Sequence, residues 1–219
     1  MSIWHQRWDE DRIGFHRSQA NPTLTDHWSK LGLESSTNVL VPLCGKTLDM
    51  HWLAQQGHPV TGIEFVEKAV TQFFQDWSKT PIQQTTSSGE KYSAEQINIY
   101  QADFFNVKPD EAPYSAWYDR AALVALPPSL RPEYVEQLLA LTTPDARGLM
   151  VTFDYPKDEM QGPPFALSDE DVEEFFAPFF EIERLQFTDL TEEEDRDLSR
   201  CSLSVFILTR RQQVKENYA

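Results

Sequence analysis

The sequence has few cysteines, and its positive charges are far outnumbered by its negative ones. Only Cys44 and Cys201 occur in 219 residues, far apart and in unlike contexts. We therefore expect no disulfide framework, and a reducing cytoplasm is the predicted location. Lys and Arg number 19 against 35 Asp and Glu, which gives a formal net charge of −16. So acidic a surface repels phosphate groups, and neither nucleic acid nor an anionic membrane is an expected partner.

Long hydrophobic runs are missing as well. No segment approaches the roughly 20 apolar residues of a membrane span, and residues 1–9 lack the apolar core of a signal peptide. The five His are scattered, and His51 and His58 have no Cys or carboxylate at ligand-like spacing, so we expect no metal site. Because 40% of the residues are hydrophobic, the composition predicts one globular domain over 1–219, with nothing that requires an oligomer.

The sequence instead shows an alternation of strand and helix patterns that begins near residue 37. Short apolar runs predict strands at 38–42, 60–64, 97–100, 116–120, 148–153, 179–187 and 203–209. Helical spacing predicts helices at 47–56, 66–77, 131–141 and 169–176, and two more, at 4–11 and 25–31, in a polar leader. Residues 79–95 are polar, with room for a surface hairpin. The alternation predicts an α/β fold with a mostly parallel, seven-stranded sheet and helices on both faces.

The residues that end the predicted strands point to a nucleoside site, because ligands of such sheets bind at the carboxyl ends of the strands. Gly45 follows the first strand, where a glycine lets the backbone approach a ligand closely. Glu64 closes the second strand and is placed to accept hydrogen bonds from ribose hydroxyls. Asp103 and Phe104 follow the third strand, in position to read the edge of an adenine and to cover its face.

The turn around Gly45 narrows the choice of nucleoside. A dinucleotide site normally needs G-x-G-x-x-G, and this turn has one glycine. A P-loop needs a glycine where Leu40 stands. Because both phosphate-binding motifs are missing, the turn favours a nucleoside without phosphates. S-adenosylmethionine is the common ligand of that kind. The spacing alone leaves the alternative of a chance pairing, with Glu64 an ordinary acid at a strand end. Cys44 has no nearby His and is better explained by packing than by nucleophilic catalysis.

Several stretches of the chain resemble the thiopurine S-methyltransferase family. They are Trp-His-Gln-Arg-Trp at 4–8, Gly-Phe-His at 14–16, Asn-Pro at 21–22, Val-Pro-Leu-Cys-Gly-Lys-Thr-Leu-Asp-Met at 41–50, Trp-Leu-Ala at 52–54, Gly-His at 57–58, Gly-Ile-Glu at 62–64, Tyr-Asp-Arg-Ala-Ala-Leu at 118–123 and Gly-Pro-Pro-Phe at 162–165. The similarity runs from about residue 3 to about residue 209, and the stretches 42–46 and 119–123 are its most specific parts. It implies a Rossmann-like class I methyltransferase fold, with an N-terminal helical lid at 1–36 and a core at 37–210.

The resemblance also implies an activity and a cofactor. The expected reaction is methyl transfer from S-adenosylmethionine to the sulfur of a small aromatic or heterocyclic thiol. Cofactor contacts are implied at Trp8, Leu43, Glu64 and Arg120, with Asp103 and Phe104 beside the adenine. Arg120 is also the expected catalytic residue, since its guanidinium favours the anionic form of a thiol.

Substrate contacts are implied at Phe15 and at an arginine in the loop before the last strand. Arg196 and Arg200 both stand in that loop, and Arg196 is the predicted contact. Structural roles remain alternatives: Trp8 and Phe15 can pin the leader to the core, and Arg120 can pair with Asp119. Alternatives at the level of function are methylation of selenium or tellurium compounds, a sensor that binds the cofactor without turnover, and an NAD-type oxidoreductase, which the missing glycines disfavour.

Overall fold

The computed structural model describes residues 2–108, 113–192 and 197–212. Within them lie six α-helices: α1 (Ile3–Asp9), α2 (Pro22–His27), α3 (Asp49–Gln55), α4 (Glu67–Asp76), α5 (Arg131–Leu141) and α6 (Asp169–Phe176). The same residues contain nine strands: β1 (Val39–Pro42), β2 (Val60–Glu64), β3 (Ile82–Thr86), β4 (Gly89–Ala94), β5 (Ile97–Gln101), β6 (Tyr114–Arg120), β7 (Thr142–Val151), β8 (Phe180–Asp189) and β9 (Ser202–Arg210). No helix in these ranges is long and apolar enough to cross a membrane.

All nine strands form one sheet, in the order β3-β4-β5-β2-β1-β6-β7-β9-β8. The central strands β5, β2, β1, β6 and β7 are parallel to one another. The hairpin β3–β4 at one edge and the strands β9 and β8 at the other are antiparallel. The predicted α/β class is confirmed. The sheet has nine strands rather than the predicted seven because the polar residues 82–94 form a hairpin that pairs with β5. The sheet is parallel only in its centre, since the strands at both edges pair in antiparallel fashion.

Helices cover both faces of the sheet, as the sequence predicts. Side chains alternate along each buried strand, so Val39 and Val41 of β1 face a core layer that also contains Leu24, Met50 and Phe73. On the other face, Leu40 packs in a layer with Trp117, Tyr134 and Phe176. The near-continuous apolar character of β1 thus follows from its burial on both faces.

Local signals explain where several helices begin. Ser168 caps α6 through a reciprocal bond with Asp171, a capping box, as expected from the sequence position of the serine. The second leader helix begins at Pro22, not at the predicted residue 25, because the Asn21 side chain accepts a hydrogen bond from the backbone N–H of Thr23. Strand β7 also begins earlier than predicted, at Thr142, although its first residues are largely polar.

The leader packs over the start of α4. Trp8 of α1 is buried in a small cluster with Val66 and Ala69. Lys68 fixes this arrangement by donating a hydrogen bond from Nζ to the carbonyl oxygen of Trp8, at 2.6 Å. The leader therefore lies at the carboxyl end of β2, the sheet end that the sequence indicates as the ligand site.

Candidate active site

A cavity of about 370 Å³ opens at the carboxyl ends of β1, β2, β6 and β7, and we call it the strand-end cavity. It lies where the chain order reverses, since β1 leads to β2 on one side of the sheet and β6 pairs with β1 on the other. The size falls in the range of small-molecule sites, about 300–1,000 Å³. Its lining includes Trp4, Arg7, Trp8, Phe15, His16, Arg17, Leu43, Gly45, Lys46, Asp49, Glu64, Tyr118, Arg120 and Phe153.

The turn after β1 has an unusual backbone. Leu43 and Gly45 both adopt the left-handed region, with φ of 45° and 53°. A non-glycine residue there is strained, and such strain is most common at functional sites. A Cβ added to Gly45 would be in van der Waals contact with the leader, 3.4 Å from Cζ2 of Trp8 and 3.7 Å from Cε2 of Phe15. The turn thus packs its backbone against the aromatic rings of the leader.

Glu64 lies beside this turn and is 6% exposed. Its Oε2 accepts a hydrogen bond from the N–H of Gly45 at 2.9 Å, and its Oε1 accepts one from the N–H of Val66 at 2.8 Å. Burial raises the pKa of this carboxyl to about 7, although these backbone bonds oppose the rise. A backbone bond from Phe65 also acts on this carboxylate, and the lone pair that remains is available to a ligand.

Arg120 ends β6 and points into the same cavity. Its Nη1 donates a hydrogen bond to the carbonyl oxygen of Phe15 at 2.5 Å. The neighbouring Asp119 faces the other side of the strand, where its carboxylate accepts bonds from the N–H of Ala122 and Leu123. Asp119 therefore shapes the turn that follows Arg120 and does not partner it. Burial is the main reason that the pKa of the Arg120 guanidinium is lowered.

Aromatic rings from the leader cover the cavity. Phe15 meets Trp4 and Trp8 edge to face, each at a centroid distance of 5.9 Å. The guanidinium of Arg7 lies over the Trp4 ring, 5.4 Å from its centroid. Such a cap presents flat, electron-rich faces to a ligand and keeps water out.

Asp49 and Tyr118 form a buried polar pair in the wall of the cavity. The hydroxyl of Tyr118 donates to Oδ2 of Asp49 at 3.0 Å, and the N–H of Asn21 donates to Oδ1 at 2.7 Å. This network joins the leader, α3 and β6, so it fixes the position of the strand that carries Arg120. Cys44 also lines the cavity, but burial, together with the Glu64 charge, raises the pKa of its thiol well above the ordinary value.

The structure brings together most of the residues predicted from the sequence. Six of them line the strand-end cavity: Trp8, Phe15, Leu43, Gly45, Glu64 and Arg120. Asp103 and Phe104 do not. Phe104 is buried against Tyr134, at a ring distance of 5.0 Å, and Asp103 caps the short turn that follows β5. An adenine contact by these two residues stays a prediction.

The arginine predicted to contact the substrate, Arg196, lies outside the described residues. Arg200, the other candidate, forms an ion pair with Asp154 at 3.0 Å and is not part of the cavity lining.

Other lining residues were missed by the sequence analysis, among them Arg7, Arg17, Asp49 and Tyr118. One signal was available for Arg7, because it stands three residues after Trp4 and shares its face of α1. The contact of its Nη2 with the carbonyl oxygen of Pro163, at 3.1 Å, joins positions 156 residues apart, which local patterns do not predict.

The donors and acceptors of the cavity fit a phosphate-free adenosine with an amino-acid tail. Glu64 offers acceptors for ribose hydroxyls, and the turn at Leu43 and Gly45 contributes to the cavity lining. Nε of Arg7 is buried without a hydrogen-bond partner within the described residues, as expected of a donor that awaits a carboxylate.

Known proteins resemble this chain over nearly its whole length. The family model described as thiopurine S-methyltransferase matches residues 1–211. A thiopurine S-methyltransferase of Shewanella loihica is 44% identical over 217 residues, covering 96% of this chain and 99% of its own. One of Shewanella piezotolerans is 43% identical over 218 residues, with coverage of 96% and 98%.

A solved structure shows the same fold at low identity. It is the 1,6-didemethyltoxoflavin-N1-methyltransferase of Burkholderia thailandensis, with bound 1,6-didemethyltoxoflavin and S-adenosylhomocysteine. The TM-score is 0.66 at 17% sequence identity, with 94% of this chain and 85% of that chain covered. The chain therefore belongs to the thiopurine S-methyltransferase family, and it is an enzyme that takes its methyl group from S-adenosylmethionine.

Proposed function

We propose that the protein methylates the sulfur of a small aromatic or heterocyclic thiol, such as a thiopurine. The observation that carries this proposal is that the half-buried guanidinium of Arg120 shares one aromatic-capped cavity with the Gly45 turn and Glu64. A cation beside a flat, apolar surface suits an aromatic thiolate, and family membership supports the same acceptor.

The cofactor is assigned to the residues at the ends of β1 and β2. Glu64 would accept hydrogen bonds from the ribose hydroxyls, and the backbone around Leu43 and Gly45 would contact the amino-acid tail. The indole ring of Trp8 would hold the sulfonium by a cation–π contact. When bound, S-adenosylmethionine supplies a methyl group on an already activated sulfur leaving group.

Arg120 has the main chemical role in this proposal. A thiol attacks well only as the thiolate, and the guanidinium lowers the pKa of a thiol that binds beside it. A heteroaromatic thiol is acidic enough that no dedicated general base is required. Phe15 holds the flat ring by stacking, so that the sulfur is aligned with the methyl group. Such alignment lowers barriers by up to about 7–11 kcal/mol.

The organisation of the chain belongs to the same proposal. Residues 1–219 act as a single methyltransferase domain, in which 1–36 form a helical lid and 37–210 the core. The bond from Arg120 to the Phe15 carbonyl supports a lid that closes over bound cofactor. We further propose that the protein works as a monomer without nucleic-acid partners, in the cytoplasm, where the buried free thiols of Cys44 and Cys201 stay reduced.

The test is methyl transfer from labelled S-adenosylmethionine to 6-mercaptopurine and to thiophenol, with phenol as the oxygen control. Wild type should label both thiols and leave phenol unlabelled. Arg120→Gln should lower kcat/KM for the thiols by about 10- to 100-fold, the loss of one charged hydrogen bond. It should also move the acidic limb of the pH–rate profile to higher pH.

The matched control is Arg12→Gln, a leader arginine that pairs with Glu10 on the surface. It removes the same charge and should leave kcat/KM unchanged. If neither thiol were labelled, or if Arg120→Gln behaved like the control, the proposal would be wrong.

A further inference from the structure

The strand-end cavity contains more positive charge than the proposed reaction uses. Its lining holds four cationic side chains and two carboxylates: Arg7, Arg17, Lys46 and Arg120, with Asp49 and Glu64. The chain as a whole carries a formal net charge of −16, so this local excess runs against the general surface. Such a reversal of sign is typical of a site that attracts an anion.

Three of these four cations already have protein partners. Lys46 pairs with Asp76 at 3.0 Å. Arg7 and Arg120 each donate to a backbone carbonyl oxygen. Arg17 is exposed and makes no hydrogen bond or ion pair with any residue in 2–108, 113–192 or 197–212. It is therefore the one of these four cations that has no protein partner among the described residues, and the cofactor and thiolate assignments above do not use it.

Arg17 lines the same cavity as Arg120. Its charge contributes to the lowered pKa of the Arg120 guanidinium, after the larger effect of burial. Two neighbouring cations repel each other, and an anion bound between or beside them removes that cost. His16, next to Arg17 in the chain, does not add to the charge, since burial chiefly, with Lys46 and Arg120, lowers the pKa of its ring.

The charges of the two reactants do not neutralise this excess of positive charge. S-adenosylmethionine carries a sulfonium, an ammonium and one carboxylate, so it is itself a cation. One thiolate neutralises a single positive charge, and an excess remains. We propose that Arg17 binds a second anionic group of the thiol substrate, such as a carboxylate, and that the acceptors of this enzyme are aromatic thiols that carry one. This inference rests on the proposed function and specifies its substrate class.

The experiment compares three acceptors that share one ring: thiophenol, 4-mercaptobenzoate and the neutral 4-mercaptobenzamide. Initial rates are measured at about pH 8, where all three thiols are substantially ionised. The readout is the ratio of the KM for the amide to the KM for the acid. Four proteins are compared, namely the wild type, Arg17→Gln, Arg17→Lys and the surface control Arg12→Gln.

Wild type should show a KM about fivefold lower for the acid than for the amide, the size expected of one exposed charge pair. Most of the difference should appear in KM and little in kcat, because a remote anion binds equally in the ground and transition states. Arg17→Gln should bring the KM ratio close to one, whereas Arg17→Lys and Arg12→Gln should keep it. Raising the ionic strength should shrink the ratio in wild type.

The outcomes separate this inference from the proposed function. Methylation of all three thiols with equal KM values, or a ratio that persists in Arg17→Gln, would overturn the role of Arg17 alone. Failure of the wild type to methylate any of the three would overturn the proposed function, and this inference with it.

Discussion

Cofactor affinity should depend on pH through Glu64. Its carboxyl has a pKa of about 7, raised by burial, so its charge changes in the neutral range. Ribose hydroxyls donate hydrogen bonds, which the ionised carboxylate accepts better than the protonated acid does. If only the ionised form binds, the apparent affinity for S-adenosylhomocysteine at pH 6 is about tenfold weaker than at pH 8.

The effect of Glu64 on stability as pH rises follows from the linkage between proton binding and folding. A pKa raised in the folded state means that the folded chain binds the proton more tightly than the unfolded chain does. The free energy of unfolding contributed by Glu64 therefore falls as pH rises from the ordinary value of 4.5 to about 7. A bound nucleoside that satisfies the carboxylate offsets this loss, so the increase in melting temperature with ligand should be larger at pH 8 than at pH 6.

Calorimetric titration with S-adenosylhomocysteine across this pH range, at fixed ionic strength, measures the effect directly. Glu64→Gln removes the titrating carboxyl, so its affinity should not change with pH. It should also bind S-adenosylhomocysteine weakly, because the amide has one acceptor fewer for the backbone N–H groups. His16→Asn removes the imidazole that also lines the cavity, and its affinity should depend on pH as that of the wild type does. Equal affinity at pH 6 and pH 8, or an unchanged slope in Glu64→Gln, would refute the ribose assignment.

The lid and the turns give further predictions. Gly45→Ala should weaken S-adenosylhomocysteine binding by about tenfold in calorimetry, since a left-handed φ costs about 1–2 kcal/mol and the new methyl group meets the lid; Gly32→Ala, with a φ of 61° away from the cavity, should lower the melting temperature without changing affinity. Gly148→Ala should cost at least about 3 kcal/mol in urea unfolding, because its Cβ would lie 1.9 Å from a ring atom of Trp117; a smaller loss would mean that the two core layers can shift. Arg7→Gln should remove the protection of residues 2–20 from protease that S-adenosylhomocysteine gives, and protection equal to wild type would argue against a lid.

The fold was largely predictable because its signals are local. The apolar runs of β1 and β2 and the acid that ends β2 lie where the sequence indicated. Ser168 marked the start of α6 in the same way. The edge formed by the polar residues 82–94 was harder to predict, because β3 pairs with β4 and β4 with β5, and this pairing rather than a local pattern gives them their strand structure.

The site was predictable only in part, for a related reason. The strand-end pattern identified Glu64, since parallel strands gather their carboxyl ends at one edge, and the family resemblance implied Arg120. Arg17 and Tyr118 enter the cavity because of long-range packing, which no local pattern encodes. Phe104 follows a strand and its ring is buried in the core, so its adenine contact stays a prediction.

The most direct test of the account is a crystal structure of the protein with S-adenosylhomocysteine. We expect both ribose hydroxyls within hydrogen-bonding distance of the Glu64 carboxylate, with the sulfur in the strand-end cavity beside the Trp8 ring. A ligand bound elsewhere, or a Glu64 that contacts only the backbone while the ribose lies in solvent, would contradict it.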